Sequence, residues 1–204
     1  MNRILIAAVA IAGLFGLGLQ LVITLGRNDE LDILAGIGDF LSFFTIQSNM
    51  VVLLVATATT IRWPGILTRP GVQAAAALYI FVVMLIYHAV LRSQWDPQGL
   101  VWLATTMLHY IVPLAYLFWW VAYADKSQLT RDLPVKWLGF PVAFLLVSLG
   151  RGAITGWYPY SFLDVTEIGY PLALRNAVLI AGVFLSAGYG LVFLGQRRRA
   201  KSSV

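Results

Sequence analysis

The sequence predicts an all-α integral membrane protein with six transmembrane helices and with both its N and C termini in the cytoplasm. Three observations lead there. Of the 204 residues 60% are hydrophobic and only 11% charged, with a mean hydropathy of +0.81, where an ordinary soluble domain is about a quarter charged. The apolar residues gather in six runs close to the length of about 20 residues that crosses a bilayer core. The lysines and arginines gather in alternate connections between those runs.

The first run, Ile4–Leu25, follows Asn2-Arg3 in the manner of a signal peptide. It is longer than a usual secretory core and lacks a clear small-x-small cleavage site, so we expect it to be retained as the first span. The others are Phe40–Ile61, Val72–Leu91, Leu100–Tyr123, the shorter Val135–Gly150, and Pro171–Leu194. The segments between them hold the helix breakers and most of the charge. On this reading residues 1–196 form one six-helix transmembrane domain and 197–204 a basic cytoplasmic tail. No internal repeat, coiled coil or low-complexity stretch stands out.

Ten of the 14 Lys and Arg residues fall on one side, among them Arg3, Arg62, Arg69, Lys126, Arg131 and Arg197 to Lys201. The other side has Arg27, Arg92, Arg151 and Arg175 together with most of the acids, including Asp29, Glu30, Asp39 and Asp164. The positive-inside rule assigns the basic side to the cytoplasm. The formal charge of +5 thus reads as a topology signal, and no nucleic-acid partner is expected. The absence of cysteine excludes disulfides, thiolate metal sites and a cysteine nucleophile.

Polar groups in hydrocarbon are costly, so their positions point to function. Span two carries Asp39, Ser42, Thr45, Gln47, Ser48 and Asn49 in its outer half. Span three ends at Tyr87, His88 and Arg92, and span four carries Thr105, Thr106, His109 and Tyr110. The inner halves read as almost purely apolar, so a polar pocket should open toward the outer leaflet. At about 100° per residue, Asp39, Ser42, Thr45 and Asn49 share a third of the helix circumference, while Gln47 points elsewhere. Thr105 and His109 are i,i+4 neighbours. Pro113 should free the carbonyl four residues back, that of His109, and kink the helix there. A rise of about 1.5 Å per residue puts Thr45 roughly 8–10 Å and His109 roughly 14–16 Å below the outer surface, levels that a kink and modest tilt would match.

Such a threonine becomes a nucleophile when a base takes its proton, and neutral histidine suits that role near pH 7. Ser42, one turn earlier, is a second candidate. Backbone amides inside a helix are already bonded, so oxyanion support should come from side chains: Asn49, Ser42, Arg151 or Arg175. Asp39 or Asp164 should orient His109. The bland alternatives are threonine bonded to its own helix and Asn or Ser as interhelical glue. No metal or other cofactor is expected: there is no His-x-x-x-His, and His88 lies about 6 Å from its span's end against about 15 Å for His109, so a shared haem would need a large offset.

At Phe43-Phe44-Thr45-Ile46-Gln47-Ser48-Asn49, at His109-Tyr110-Ile111-Val112-Pro113, and at Arg151-Gly152-Ala153-Ile154-Thr155-Gly156-Trp157-Tyr158-Pro159-Tyr160-Ser161-Phe162-Leu163-Asp164, the chain resembles a bacterial six-span membrane family. The resemblance runs from span two to the start of span six. That family is distantly similar to the animal androgen-induced membrane proteins, which hydrolyse fatty acid esters of hydroxy fatty acids. The resemblance implies Thr45 and His109 as a catalytic pair, a lipid or fatty-acid-ester substrate taken from among membrane lipids, and residence in a bacterial cytoplasmic (inner) membrane. The segment Trp157-Tyr158-Pro159-Tyr160 is either an interfacial aromatic belt or the rim of a lipid entry. Two other readings stay open beside a threonine/histidine ester hydrolase: a non-enzymatic carrier or channel for a small or lipid-like molecule, and an assembly or regulatory subunit. The oligomeric state is not legible in the sequence.

Overall fold

Apolar runs without a polar face have to satisfy their backbone internally, and in lipid the helix does this within one segment. The computed structural model of the protein describes residues 2–26, 33–94 and 96–202, with side chains as far as Arg197, and its regular elements are all helical. Among the described residues six helical stretches are long and apolar enough to cross a membrane: Arg3–Leu25, Phe44–Ile61, Pro70–Leu91, Gly99–Tyr123, Leu133–Thr155 and Val165–Arg197. They correspond one for one to the six expected spans. The protein is an integral membrane protein.

The chain divides into two compact units, Met1–Gln128 and Leu129–Val204. In the first, α1 (Arg3–Leu25) packs against α3 (Phe44–Ile61), α3 against α4 (Pro70–Ile86), and α4 against α6 (Val112–Tyr123), which returns to α1. The fourth span is α5 (Gly99–Thr106), a π-helical turn at Met107–Ile111, and α6; α4 ends in a second π-turn at Tyr87–Leu91. On α4 small side chains let neighbouring helices approach, with Ala74, Ala76 and Ala77 fully buried, as suits helices whose association gains nothing from hiding apolar surface from lipid; α6 fills the interior with the larger Tyr116, Trp119 and Trp120. Side chains on the other faces stay bare: Ile11 is 69% exposed and Phe118 61%. Patches of that kind are stable against lipid tails and not against water.

Two sequence expectations are corrected in this unit. The second span does not begin at Phe40. A separate nine-residue helix, α2 (Ile33–Leu41), precedes it, too short to span. The break has local causes. The Ser42 hydroxyl donates to the Gly38 carbonyl at 2.6 Å and Gln47 Nε2 to the Leu41 carbonyl at 2.8 Å, so α2's last carbonyls find donors outside the helical ladder. Phe43 is extended (φ −96°, ψ 129°) and α3 starts afresh. The inner halves are also less apolar than expected. Gln73 Nε2 donates to Thr59 Oγ1 at 3.2 Å, and the Tyr116 hydroxyl donates to the Gln73 carbonyl at 3.0 Å. These buried groups of α3, α4 and α6 satisfy one another.

The second unit contains α7 (Leu133–Trp137), α8 (Gly139–Thr155), a 3₁₀ turn at Ser161–Leu163, and α9 (Val165–Ser202), which is interrupted at Gly169 (φ 74°, ψ 158°). Arg151 lies within α8, ahead of its last turn, rather than in a loop. The expected tail is helical as far as Ser202, continuing α9. Arg27, Asp29 and Glu30, and the side chains of Arg198, Arg199 and Lys201, used above for topology, lie outside the described residues.

Candidate functional site

The break before α3 decides the setting of Thr45. It is the second residue of a new helix, 8% exposed, not a residue in mid-helix. In a helix's first turn the backbone N–H groups have no helical carbonyl to bond, and the helix dipole is positive. The expectation that all nearby amides are spent within the helix is therefore corrected.

His109 comes from the π-turn Met107–Ile111. The turn places the Val112 N–H on the Met107 carbonyl, five residues back, and Pro113 next along has no N–H to give. The carbonyl left to a side chain is thus that of Leu108, not of His109 as the α-helical register would have it. Asn49 fills it: Nδ2 donates to the Leu108 carbonyl at 3.1 Å and to the Thr45 carbonyl at 2.8 Å.

Thr45 Oγ1 lies 3.3 Å from His109 Nε2, in direct hydrogen-bond reach. His109 Nδ1 lies 2.9 Å from the Thr105 carbonyl oxygen. A carbonyl only accepts, so Nδ1 carries the proton that makes this bond. In the singly protonated ring, Nε2 then presents its lone pair to the Thr45 hydroxyl. The orienting group is a backbone carbonyl one turn away, in place of the expected Asp39 or Asp164. The i,i+4 spacing of Thr105 and His109 was its trace in the sequence.

Sequence reasoning placed Tyr87 at the outer end of span three but gave it no role. Its ring stacks on His109 with centroids 4.0 Å apart and planes at 26°. Tyr110 meets Tyr87 edge to face at 5.6 Å, and its hydroxyl bonds His88 Nδ1 at 3.1 Å. Because spans three and four run in opposite directions, Tyr87-His88 and His109-Tyr110 cross-pair. The depth offset expected between His88 and His109 is corrected: both π-turns bring their aromatic pairs to one level. Turns of this type recur at functional sites, and their only sequence sign here is Pro113.

The other candidates resolve differently. Ser42 donates to the Gly38 carbonyl, as described, and Asp39 takes the Ser42 N–H on its backbone oxygen at 3.1 Å. Asn49 commits its amide to two carbonyls, so it does not serve as an oxyanion donor. Gln47 bonds Leu41, away from the pair. Arg151, Asp164 and Arg175 belong to the second unit. There the Arg151 guanidinium lies 4.4 Å over the Trp157 ring, Asp164 Oδ1 accepts the Thr166 N–H at 2.9 Å, and the exposed Arg175 donates to Asn176 Oδ1 at 3.3 Å. Asn176 in turn donates to the Phe162 carbonyl at 3.0 Å, and Tyr160 and Phe162 stack at 5.0 Å.

Compared with known proteins, the chain matches no protein family, no curated protein and no solved structure.

Proposed function

We propose that this protein is an intramembrane hydrolase of lipid esters, such as fatty acid esters of hydroxy fatty acids, in which Thr45 is the nucleophile and His109 the general base and then acid. One observation carries the reading: a buried hydroxyl 3.3 Å from an imidazole nitrogen whose partner nitrogen is tied to a carbonyl. His109 Nε2 takes the hydroxyl proton as Thr45 Oγ1 attacks the ester carbonyl, then passes it to the departing alkoxide. Water hydrolyses the acyl-threonine, with His109 taking its proton and returning one to Thr45. Thr45 sits in the first turn of α3, where the positive end of the helix dipole would favour the negative charge that develops at the attacked carbonyl. The resemblance at the threonine and histidine segments supports the same pair. The split of basic residues supports cytoplasmic termini and a site open to the outer leaflet of a bacterial inner membrane.

A carrier using the same pocket is the competing reading. The polar groups in the opposite half of the first unit do not favour it, because Thr59, Gln73 and Tyr116 bond one another. The test is purified protein with a fluorophosphonate probe and a fatty acid ester of a hydroxy fatty acid. Wild type should be labelled and active. Thr45→Ala and His109→Ala should each abolish hydrolysis, and the double variant should be no worse, since nucleophile and base act as a unit. Thr45→Ala hydrolysing at the wild-type rate would refute the mechanism.

A further inference from the structure

We infer that Asn49 is a positioning residue: its amide fastens the start of α3 to the π-turn of the fourth span and thereby sets the distance between Thr45 and His109. The two carbonyls it holds belong to Thr45 itself and to Leu108, the residue immediately before His109. The side chain is fully buried, so water does not compete for either bond. Its orientation is determined as well, because the reversed amide would set an oxygen against two carbonyl acceptors.

The acceptor on the far side exists for a covalent reason. Val112 bonds Met107, and Pro113 brings no N–H, so Leu108 takes its donor from α3. Proline, π-turn and asparagine act as one latch. The pair it holds is 3.3 Å apart, close to the limit of about 3.5 Å beyond which such a bond is lost. A small slip between the helices would separate them. A residue serving only to glue helices need not grip both the nucleophile's own carbonyl and the backbone beside the base.

The consequence for turnover rests on the hydrolase reading, but the latch is read from the imidazole itself. The full chain in lipid nanodiscs, labelled with ¹⁵N-histidine, has two histidines, assigned with His88→Gln. In Asn49→Leu the Nε2 resonance should move to that of a nitrogen without a hydroxyl partner, while Nδ1, held by Thr105 within its own span, stays. Pro113→Ala offers Leu108 a competing N–H and should move Nε2 the same way, and adding Asn49→Leu to it should shift the signal no further. With an ester substrate, kcat should fall about 100-fold at unchanged KM, the loss a displacement near 1 Å produces. An Nε2 signal unmoved in Asn49→Leu, or in Pro113→Ala should the first variant not fold, overturns the latch. Shifts that add independently overturn the coupling to Pro113. A wild-type protein that hydrolyses no ester removes the hydrolase reading, and the resonances still decide the role of Asn49.

Discussion

Replacing Gly16 with alanine should push back the π-turn that carries His109, whereas the same change at Gly18 on the same helix should not. A methyl on Gly16 would lie 3.0 Å from Leu108 Cδ2 and 3.2 Å from Met107 Cβ, while carbon atoms rest at about 3.5–4.0 Å. The Leu108 methyl can swing aside, but Met107 Cβ is tied to the backbone of the turn. The turn must therefore retreat by about 0.3–0.8 Å. At Gly18 an added methyl meets nothing within 4 Å. Both substitutions share the same helix-propensity gain, so the difference between the two variants isolates the overpacking cost, about 1–3 kcal/mol. Each kcal/mol should appear as about 2–4 °C in Tm. A retreat with a component away from α3 carries the Thr45–His109 distance from 3.3 Å past hydrogen-bond range. With 1 Å worth about 100-fold in rate, half an ångström should cost about 10-fold in ester hydrolysis. Thermal unfolding in detergent, followed by tryptophan fluorescence, provides the comparison. Equal melting of the Gly16 and Gly18 variants would refute the packing argument.

Three further outcomes are expected. Single cysteines introduced into this cysteine-free chain at position 131 should resist a membrane-impermeant thiol reagent in intact cells, while one at position 164 should react; labelling at 131 would invert the topology. Gly152→Ala should destabilise the second unit, because the Tyr158 ring occupies the place of the new methyl; the expected loss is about 1–3 kcal/mol in melting experiments, relieved by shrinking the ring in Tyr158→Leu. Asp132 is held below its ordinary 3.8, at about 2, chiefly by its hydrogen bond to Lys136 and then by that to Thr130. A depressed carboxylate contributes above its unfolded pKa and loses that contribution as pH falls through the folded value, so Asp132→Asn should lower melting slightly at pH 7 and blunt the acid response between about pH 4 and pH 2; an Asp132 carboxyl NMR titration near 3.8 would contradict the bond to Lys136.

Transfer into lipid is summed residue by residue over a local stretch, so the six spans were legible in the apolar runs alone. The loop charges follow a similarly local rule, and they order the spans in alternation. Helical phase and rise also brought Thr45, Asn49 and His109 to one region, and Gln47 to another. What escaped was backbone geometry set by particular side-chain bonds. The break between α2 and α3 falls inside a run counted as one span, and it arises because Ser42 and Gln47 close α2's carbonyls with their side chains, a bonding choice that hydropathy does not weigh.

The exchange of Leu108 for His109 as the carbonyl taken by a side chain depends on a π-turn, and one inserted residue in a helix leaves no periodic mark. Tyr87 on His109, and His88 on Tyr110, required knowing that two antiparallel spans present their aromatic pairs at one level. Composition and periodicity report on neighbours along the chain. The bonds that make this site join residues 59 and 64 positions apart, and only the packing of one helix on another decides which of them meet.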